Sequence, residues 1–276
     1  MVYEDSPDLL DDSHSQADPN RNNLDSKLLT CTSTRMPFVI MVDISTSMSE
    51  GENYKDGIAP IMKVCNFINH LYEYLRNDEK ARRCVEIAVV TFGPEDFSPE
   101  KDVISPFSLV KDKQDVDITA RGPTFMSKAI NYVIQMINER KSQYKTAKRK
   151  YFRPLVLLIT DGGTNTPDID EFNKAKLNCL SASKGKHLVF LAVKVGREKS
   201  SLNDSMHFDM LKGFDALHEP IRLEDVDFSQ LFSYLSNSIE ATISNAQVDQ
   251  DNGTANAEPK GDFSALDDQD FSYGKK

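Results

Sequence analysis

Four continuous apolar runs constrain the fold of this chain more than any other feature of its sequence. They are rich in Val, Ile and Leu: PFVIMV (37–42), VEIAVVTF (85–92), PLVLLIT (154–160) and HLVFLAVKV (187–195). Strands that are buried on both faces of a sheet have this composition. A weaker run, VISPFSLV (103–110), contains Pro106, which predicts a strand at the edge of the sheet.

Helical patterns lie between and after these runs, because apolar residues recur there every three or four positions. The four apolar stripes are Ile58, Ile61, Cys65, Ile68, Tyr72 and Leu75; Met126, Ile130, Val133 and Ile137; Phe172, Ala175 and Cys179; and Phe228, Leu231, Phe232, Leu235 and Ile239. Five or six strands that alternate with helices predict an α/β fold with a doubly wound, mostly parallel central sheet flanked by helices. We expect one such domain, over residues 34–247.

The net charge of −10 is concentrated in the two ends of the chain. Residues 1–30 carry seven acidic and two basic side chains, and residues 248–276 carry seven acidic and three basic ones. Such composition predicts disordered acidic tails, which we place at residues 1–33 and 248–276. An alternative role for the tails stays open, in which their carboxylates act as ligands of a site in the same chain.

Charge and hydropathy also argue against two kinds of partner, namely membranes and nucleic acids. No apolar run approaches the roughly 20 residues of a membrane-spanning helix, and the acidic first residues do not resemble a signal peptide. We therefore expect a cytoplasmic protein without a membrane partner. The basic run from Lys141 to Arg153 is interpreted as the solvated end of a helix rather than a nucleic-acid surface. The five histidines show no metal-binding spacing, which favours surface or packing roles.

Oxygen-bearing side chains are predicted to meet at one edge of the sheet. Ligands of doubly wound sheets bind outside the carboxyl ends of the strands, and three loops belong there. Asp43, Ser45 and Ser47 follow the first apolar run, Asp161 follows PLVLLIT, and Thr124 ends a loop that leads into the second long helix. Because the first three lie two residues apart, an extended loop would direct their oxygens the same way.

Two carboxylates and three hydroxyls form a site of oxygen ligands with low charge. Hard divalent cations such as Mg²⁺ or Mn²⁺ prefer such ligands. These side chains do not complete an octahedron, so an acidic group of a partner has a position to fill.

Each of these loops also has a purely structural interpretation. Asp43 could cap a turn, Ser45 or Ser47 could cap the following helix, and Thr124 could cap the helix that begins after it. Asp161 with the two glycines that follow it is an ordinary turn signal. The metal site is favoured because all three loops are predicted at the same edge.

The order and the contexts of these five residues resemble the metal-ion-dependent adhesion site of von Willebrand factor A (VWA) domains. The resemblance covers about residues 36–245. Within that superfamily the chain looks most like bacterial TerY-like proteins, on the segments RMPFVIMVDISTSMS, RPLVLLITDGGTNTPD and FSQLFSYLSNSI. Family membership then implies a link to tellurium resistance and stress response.

The resemblance implies roles for the individual residues. Ser45, Ser47 and Thr124 would bind the metal directly or nearly so, and Asp43 and Asp161 would bind it through water or directly. Pro123 departs from the family pattern, in which this loop reads Gly-Gly-Thr or similar. Since proline fixes φ and lacks an N–H, it is expected to restrict switching of the loop.

The sequence thus predicts a metal-dependent protein-interaction module without enzymatic activity. Its partner would supply Asp or Glu to the metal, and the resemblance implies other tellurium-resistance proteins, or a kinase or phosphatase encoded nearby. Two alternatives stay open. The first is a metal-dependent hydrolase of the aspartyl-phosphate phosphatase type, although Ser45 stands where those enzymes need a second acid. The second is a scaffold that binds partners without metal.

Overall fold

The computed structural model describes most of the central part of the chain. The described residues are 33–51, 56–162, 169–196 and 202–224, together with residues 228, 231, 235–237 and 239. The two predicted acidic tails lie outside these residues, apart from Ser33. The predicted domain boundaries therefore stay predictions.

The apolar runs form strands, as their composition predicted. The strands are β1 (Met36–Asp43), β2 (Val85–Phe92), β3 (Ser105–Leu109), β4 (Leu155–Thr160), β5 (Val189–Gly196) and β6 (Ile221–Glu224). Every residue of β1, β2 and β4 is buried, which explains why these runs carry apolar side chains on both faces.

The six strands form one sheet in the order β3-β2-β1-β4-β5-β6. All neighbouring strands are parallel except β3, which pairs antiparallel with β2 at the edge. The edge position expected from Pro106 is confirmed. Because the chain order reverses between β1 and β4, the crevice beyond their carboxyl ends is the position where doubly wound sheets bind ligands.

Helices cover both faces of the sheet. The helices are α1 (Pro60–Asn77), α2 (Ala81–Cys84), α3 (Pro99–Asp102), α4 (Ser127–Thr146), α5 (Ile169–Lys184) and α6 (Leu202–Met210). Successive residues of β1 point to opposite faces, so Ile40 and Val42 pack in the core beneath α1, and Val39 and Met41 pack beneath α4 and α5. The predicted doubly wound α/β fold is confirmed.

The C-terminal helical stripe also packs where its spacing predicted. Leu231, Leu235 and Ile239 are helical and fully buried in the core on the α1 side. Phe228 stacks on Phe67 of α1, with ring centroids 4.6 Å apart. The end of the domain is thereby packed on the face that α1 covers. None of the described helices combines the length and the apolar composition required to cross a membrane.

A buried ion cluster holds the end of the sheet where the parallel strands begin. Glu86 of β2 accepts hydrogen bonds from Nε and Nη2 of Arg140 at 2.9 and 2.6 Å and from the Tyr144 hydroxyl. Its second oxygen lies 3.4 Å from Nε of Arg35, and both ion pairs are almost completely buried. Arg35 precedes β1 and Arg140 lies on α4, so one carboxylate joins three elements.

Glu86→Gln should strongly destabilise the domain, by about 3–5 kcal/mol, because it leaves the two buried guanidinium groups without their counter-charge. Urea unfolding gives this difference directly. Glu79→Gln is the matched control, since Glu79 pairs with Arg83 at 2.7 Å on the surface and its loss should change stability little. Equal effects of the two substitutions would contradict the role of the buried cluster.

Candidate metal centre

The sheet brings two carboxylates together at its switch point. Asp43 is the last residue of β1, and Asp161 directly follows Thr160, the last residue of β4. The register pairs Val42 of β1 with Ile159 of β4, which places Asp43 beside Thr160. The two predicted carboxylates therefore leave neighbouring parallel strands at the same edge.

Asp43 is fixed by hydrogen bonds within the fold. It is completely buried. Its Oδ1 accepts the backbone N–H of Ser45 at 2.8 Å, and its Oδ2 accepts the hydroxyl of Thr160 at 2.6 Å. The Thr160 oxygen in turn accepts the N–H of Gly162 at 3.2 Å. The carboxylate thus ties the loop after β1 to the turn after β4.

Ser45 and Ser47 direct their hydroxyls toward one another, with the two Oγ atoms 3.1 Å apart. The Ser47 hydroxyl also lowers the pKa of Asp161, so a polar arc runs from Asp43 past both serines to the second carboxylate. The predicted extended loop is wrong beyond Ser45, because residues Thr46–Ser49 form a turn of 3₁₀ helix. Ser45 precedes that turn but makes no side-chain capping bond, so the capping interpretation does not describe it.

The loop that carries Thr124 packs against this arc. The carbonyl of Gly122 accepts both the N–H of Thr46 at 2.8 Å and its hydroxyl at 3.1 Å. Thr124 itself is buried at the same edge of the sheet. It does not cap α4, because α4 begins at Ser127 with Met126 at the N-cap. The effect of Pro123 on switching of this loop stays a prediction.

The electrostatics of the site are dominated by two carboxyl groups that the fold removes from water. Burial, and secondly the negative charge of Asp161, raise the pKa of Asp43 from 3.8 to about 7, against hydrogen bonds from Thr160 and Ser45 that lower it. Burial also raises the pKa of Asp161, although the Ser47 hydroxyl and the charges of Lys194 and His207 oppose the shift. Among the described residues, no cation forms an ion pair with Asp43.

Three residues near the site were not predicted. Thr160 holds Asp43, Lys194 is buried on β5 in register with Thr160, and His207 of α6 lies against Gly162. A side chain added at Gly162 would place its Cβ 3.6 Å from Nδ1 of His207. Only Lys194 left a signal in the sequence, as a charged residue inside an otherwise apolar run.

Comparison with known proteins agrees with this geometry. The model of the von Willebrand factor type A domain matches residues 38–204. The chain belongs to the VWA domain family. The match contains β1 with its loop, Thr124 and Asp161, so it includes all five candidate residues. No curated protein shows significant sequence similarity to this VWA chain.

Solved structures share the fold at low sequence identity. The pilus adhesin SpaC from Lactobacillus rhamnosus GG matches with a TM-score of 0.54 and 11% identity, over 78% of this chain and 31% of the adhesin. The VWA domain ("vWF domain") of the type V pili tip protein Mfa5 from Porphyromonas gingivalis matches with a TM-score of 0.52 and 10% identity, over 76% and 97% of the two chains. The chain thus spans about a third of the adhesin, and the likeness shows the fold alone.

The side chains present fit a hard divalent cation. Within the described residues, no three His, Cys, Asp or Glu side chains converge as a metal-binding group. The arc instead offers two carboxylates and the hydroxyls of Ser45 and Ser47, with Thr124 in the adjoining loop. This oxygen-only set suits Mg²⁺ or Mn²⁺ better than metals that prefer nitrogen or sulfur. A cation there would also stabilise the charged form of both carboxyl groups, whose pKa values burial raises, and would offset the repulsion by Asp161 that raises the pKa of Asp43 further.

The raised pKa of Asp43 predicts a pH-dependent difference between the parent and Asp43→Asn without metal. Between about pH 4 and pH 7 the folded parent retains a proton that the unfolded chain has lost, so this carboxyl lowers the stability of the fold as pH rises. Asparagine carries no such charge. We expect Asp43→Asn to be more stable than the parent at pH 8 by at least about 1 kcal/mol, since one pKa unit is about 1.4 kcal/mol.

Urea unfolding of both proteins in EDTA at pH 5 and pH 8 tests this expectation. The advantage of Asp43→Asn should shrink at pH 5, where the parent carboxyl is protonated. An equal or lower stability of Asp43→Asn at pH 8 would show that the buried charge is compensated within the fold.

Proposed function

We propose that this VWA chain is a metal-dependent protein-interaction module. Mg²⁺ or Mn²⁺ would be held by Asp43, Ser45, Ser47, Thr124 and Asp161, and would bind an acidic side chain of a protein partner. The observation that carries the proposal is the pair of carboxylates at the switch point, with Asp43 buried and Asp161 half-buried, beside two serine hydroxyls that lie 3.1 Å apart. Within the described part of the chain, no ion pair compensates the charge of Asp43.

In this proposal, some residues of the site hold its loops in place and others face the partner. Asp43 is buried and orders the loop through Ser45, whereas Ser47 is exposed and faces the partner side of the edge. The carbonyl of Gly122 holds Thr46, so the loop that carries Thr124 stays against the serines. A bound divalent cation supplies positive charge and an open coordination position for a carboxylate of the partner.

The side chains of the candidate metal centre favour reversible binding of a ligand over catalysis. The position two residues after Asp43 holds Ser45, whose hydroxyl is engaged with Ser47 and cannot serve as a general acid near neutral pH. A hydroxyl and carboxylate set without a positioned acid suits reversible binding of a charged group. The proposal therefore assigns no catalytic residue.

The biological setting is part of the proposal and rests on sequence resemblance. The segments RMPFVIMVDISTSMS, RPLVLLITDGGTNTPD and FSQLFSYLSNSI support a place among TerY-like proteins of tellurium-resistance or stress-response systems. Partners would then be other proteins of such a system, or an associated kinase or phosphatase. We also propose a cytoplasmic location.

Metal binding should stabilise the parent and not Asp43→Asn. At a hundredfold excess over its Kd, Mg²⁺ or Mn²⁺ should add about 2.7 kcal/mol, which is roughly 5–10 °C in Tm for a domain of this size. Thermal unfolding at pH 8 with and without the metal measures the shift. Ser47→Ala should reduce it, because that variant loses a hydroxyl ligand.

Ser49→Ala is the matched control for Ser47→Ala. Both serines lie in the same 3₁₀ turn, but the Ser49 hydroxyl donates to the carbonyl of Thr46 at 2.7 Å instead of joining the arc. Its removal should leave the metal shift intact. A full shift in Asp43→Asn would place the metal elsewhere and refute the assignment.

Partner binding should require the metal. The immobilised full chain is exposed to lysate in Mg²⁺, with a parallel arm in EDTA, and the retained proteins are identified. We expect a partner that is retained by the parent and by Ser49→Ala in Mg²⁺, and is lost in EDTA or with Asp43→Asn. A partner retained equally in all arms would instead support a scaffold surface that works without metal.

A further inference from the structure

A basic surface lies at the end of the sheet opposite the candidate metal centre. Two stretches of chain form it, residues 141–153 and 184–187, and we call it the basic end. These stretches contain eight lysine and arginine side chains and no Asp or Glu. The eight are Lys141, Lys145, Lys148, Arg149, Lys150, Arg153, Lys184 and Lys186.

Hydrogen bonds join the two stretches into one surface. Lys141 of α4 donates to the carbonyl of His187 at 2.7 Å. Arg153 donates to the carbonyls of Leu188 at 3.0 Å and Ser183 at 3.1 Å. The last turns of α4 and α5 and the segments that lead into β4 and β5 therefore meet at this end.

The charges of the basic end are crowded and exposed. Burial, and then the neighbouring charges of Lys145 and Arg153, lower the pKa of Lys141 to about 8. Five lysines of the surface are exposed, and none of them forms an ion pair with another described residue: Lys145, Lys148, Lys150, Lys184 and Lys186. Such a surface favours an acidic ligand.

The chain enters the domain beside this surface. The N–H of Arg35 donates to the carbonyl of Lys150 at 3.0 Å, and the N–H of Phe152 donates to the carbonyl of Arg35 at 2.7 Å. Residues before Ser33 are therefore tethered next to Lys150. The metal centre lies at the other end of β1, roughly 25 Å away for a strand of this length.

The segment before Ser33 has the complementary charge. Six carboxylates lie within residues 4–18, before the first basic side chain at Arg21: Glu4, Asp5, Asp8, Asp11, Asp12 and Asp18. Fourteen residues separate this stretch from Ser33, and a random-coil linker of that length has a root-mean-square span of about 20 Å, which suffices to reach the basic end. A tether of this length gives an effective concentration on the order of millimolar.

We propose that residues 4–18 bind the basic end of the same molecule. The acidic segment 248–276 is the weaker match, because Lys260 interrupts its carboxylates and Lys275 and Lys276 follow them. Binding at this surface keeps the N-terminal carboxylates away from the metal centre. It also prevents other polyanions from binding to the basic end. The interaction is electrostatic, so salt weakens it.

Carbodiimide cross-linking of the full chain tests the proposal, because this reagent joins a carboxylate to an amine that contacts it. Mass spectrometry of the monomer fraction should find cross-links from residues 4–18 to Lys145, Lys148, Lys150, Lys184 and Lys186. They should fall several-fold in about 1 M salt, where the Debye length is about 3 Å. Cross-links that join these carboxylates mainly to lysines elsewhere, or that place residues 248–276 on the basic end, would overturn the proposal.

Charge reversal of the surface provides the matched comparison. Lys145→Glu/Lys150→Glu/Lys184→Glu should abolish these cross-links, whereas Lys111→Glu/Lys128→Glu, which changes exposed lysines outside the basic end, should keep them. Thermal unfolding reports whether each variant folds. Retained cross-links in the folded triple variant would refute the assigned surface.

A second variant avoids any change in the domain itself. Asp5→Asn/Asp8→Asn/Asp11→Asn/Asp12→Asn removes four carboxylates of the segment. The lysines of the basic end should then react several-fold faster with an acylating reagent, while Lys111 and Lys128 keep their rates. Unchanged rates at the basic end would show that residues 4–18 do not cover it.

Discussion

The central constraint in this structure is the buried negative charge of Asp43, next to the second carboxylate, Asp161, at the switch point of the sheet. Asp43 is fully buried, and within the described residues its carboxylate accepts hydrogen bonds from two uncharged donors, the Ser45 N–H and the Thr160 hydroxyl. Those bonds fix the loop after β1 and the turn after β4, but they leave the negative charge in place. We propose that a divalent cation offsets this charge and that its open coordination position binds a carboxylate of a partner.

Glu86, compared with Asp43, shows that burial of a carboxylate does not by itself indicate a metal-binding site. Glu86 lies at the other end of the sheet, equally buried, yet Arg35 and Arg140 both pair with it. The two arginines neutralise the negative charge of Glu86, and these ion pairs hold the start of β1, β2 and α4 together. Asp43 has no such ion pair among the described residues, and we propose that a bound cation supplies the opposite charge.

The sequence predicted the sheet well because buried parallel strands require continuous apolar runs. It did not single out β6 or α6, since Ile221–Glu224 is short and Leu202–Met210 has no clear apolar stripe. The five candidate residues do lie at one edge of the sheet. Thr160, Lys194 and His207 were missed because they act from a strand or a helix, where apolar periodicity carries no information on polar contacts between elements.

Determination of the structure with Mn²⁺ tests the central claim most directly, because anomalous scattering locates the ion without assumptions about its ligands. The account predicts an anomalous peak beside the oxygens of Ser45 and Ser47, within water-mediated or direct reach of Asp43 and Asp161. No peak at the switch point at saturating Mn²⁺, or a peak only elsewhere on the chain, would contradict it.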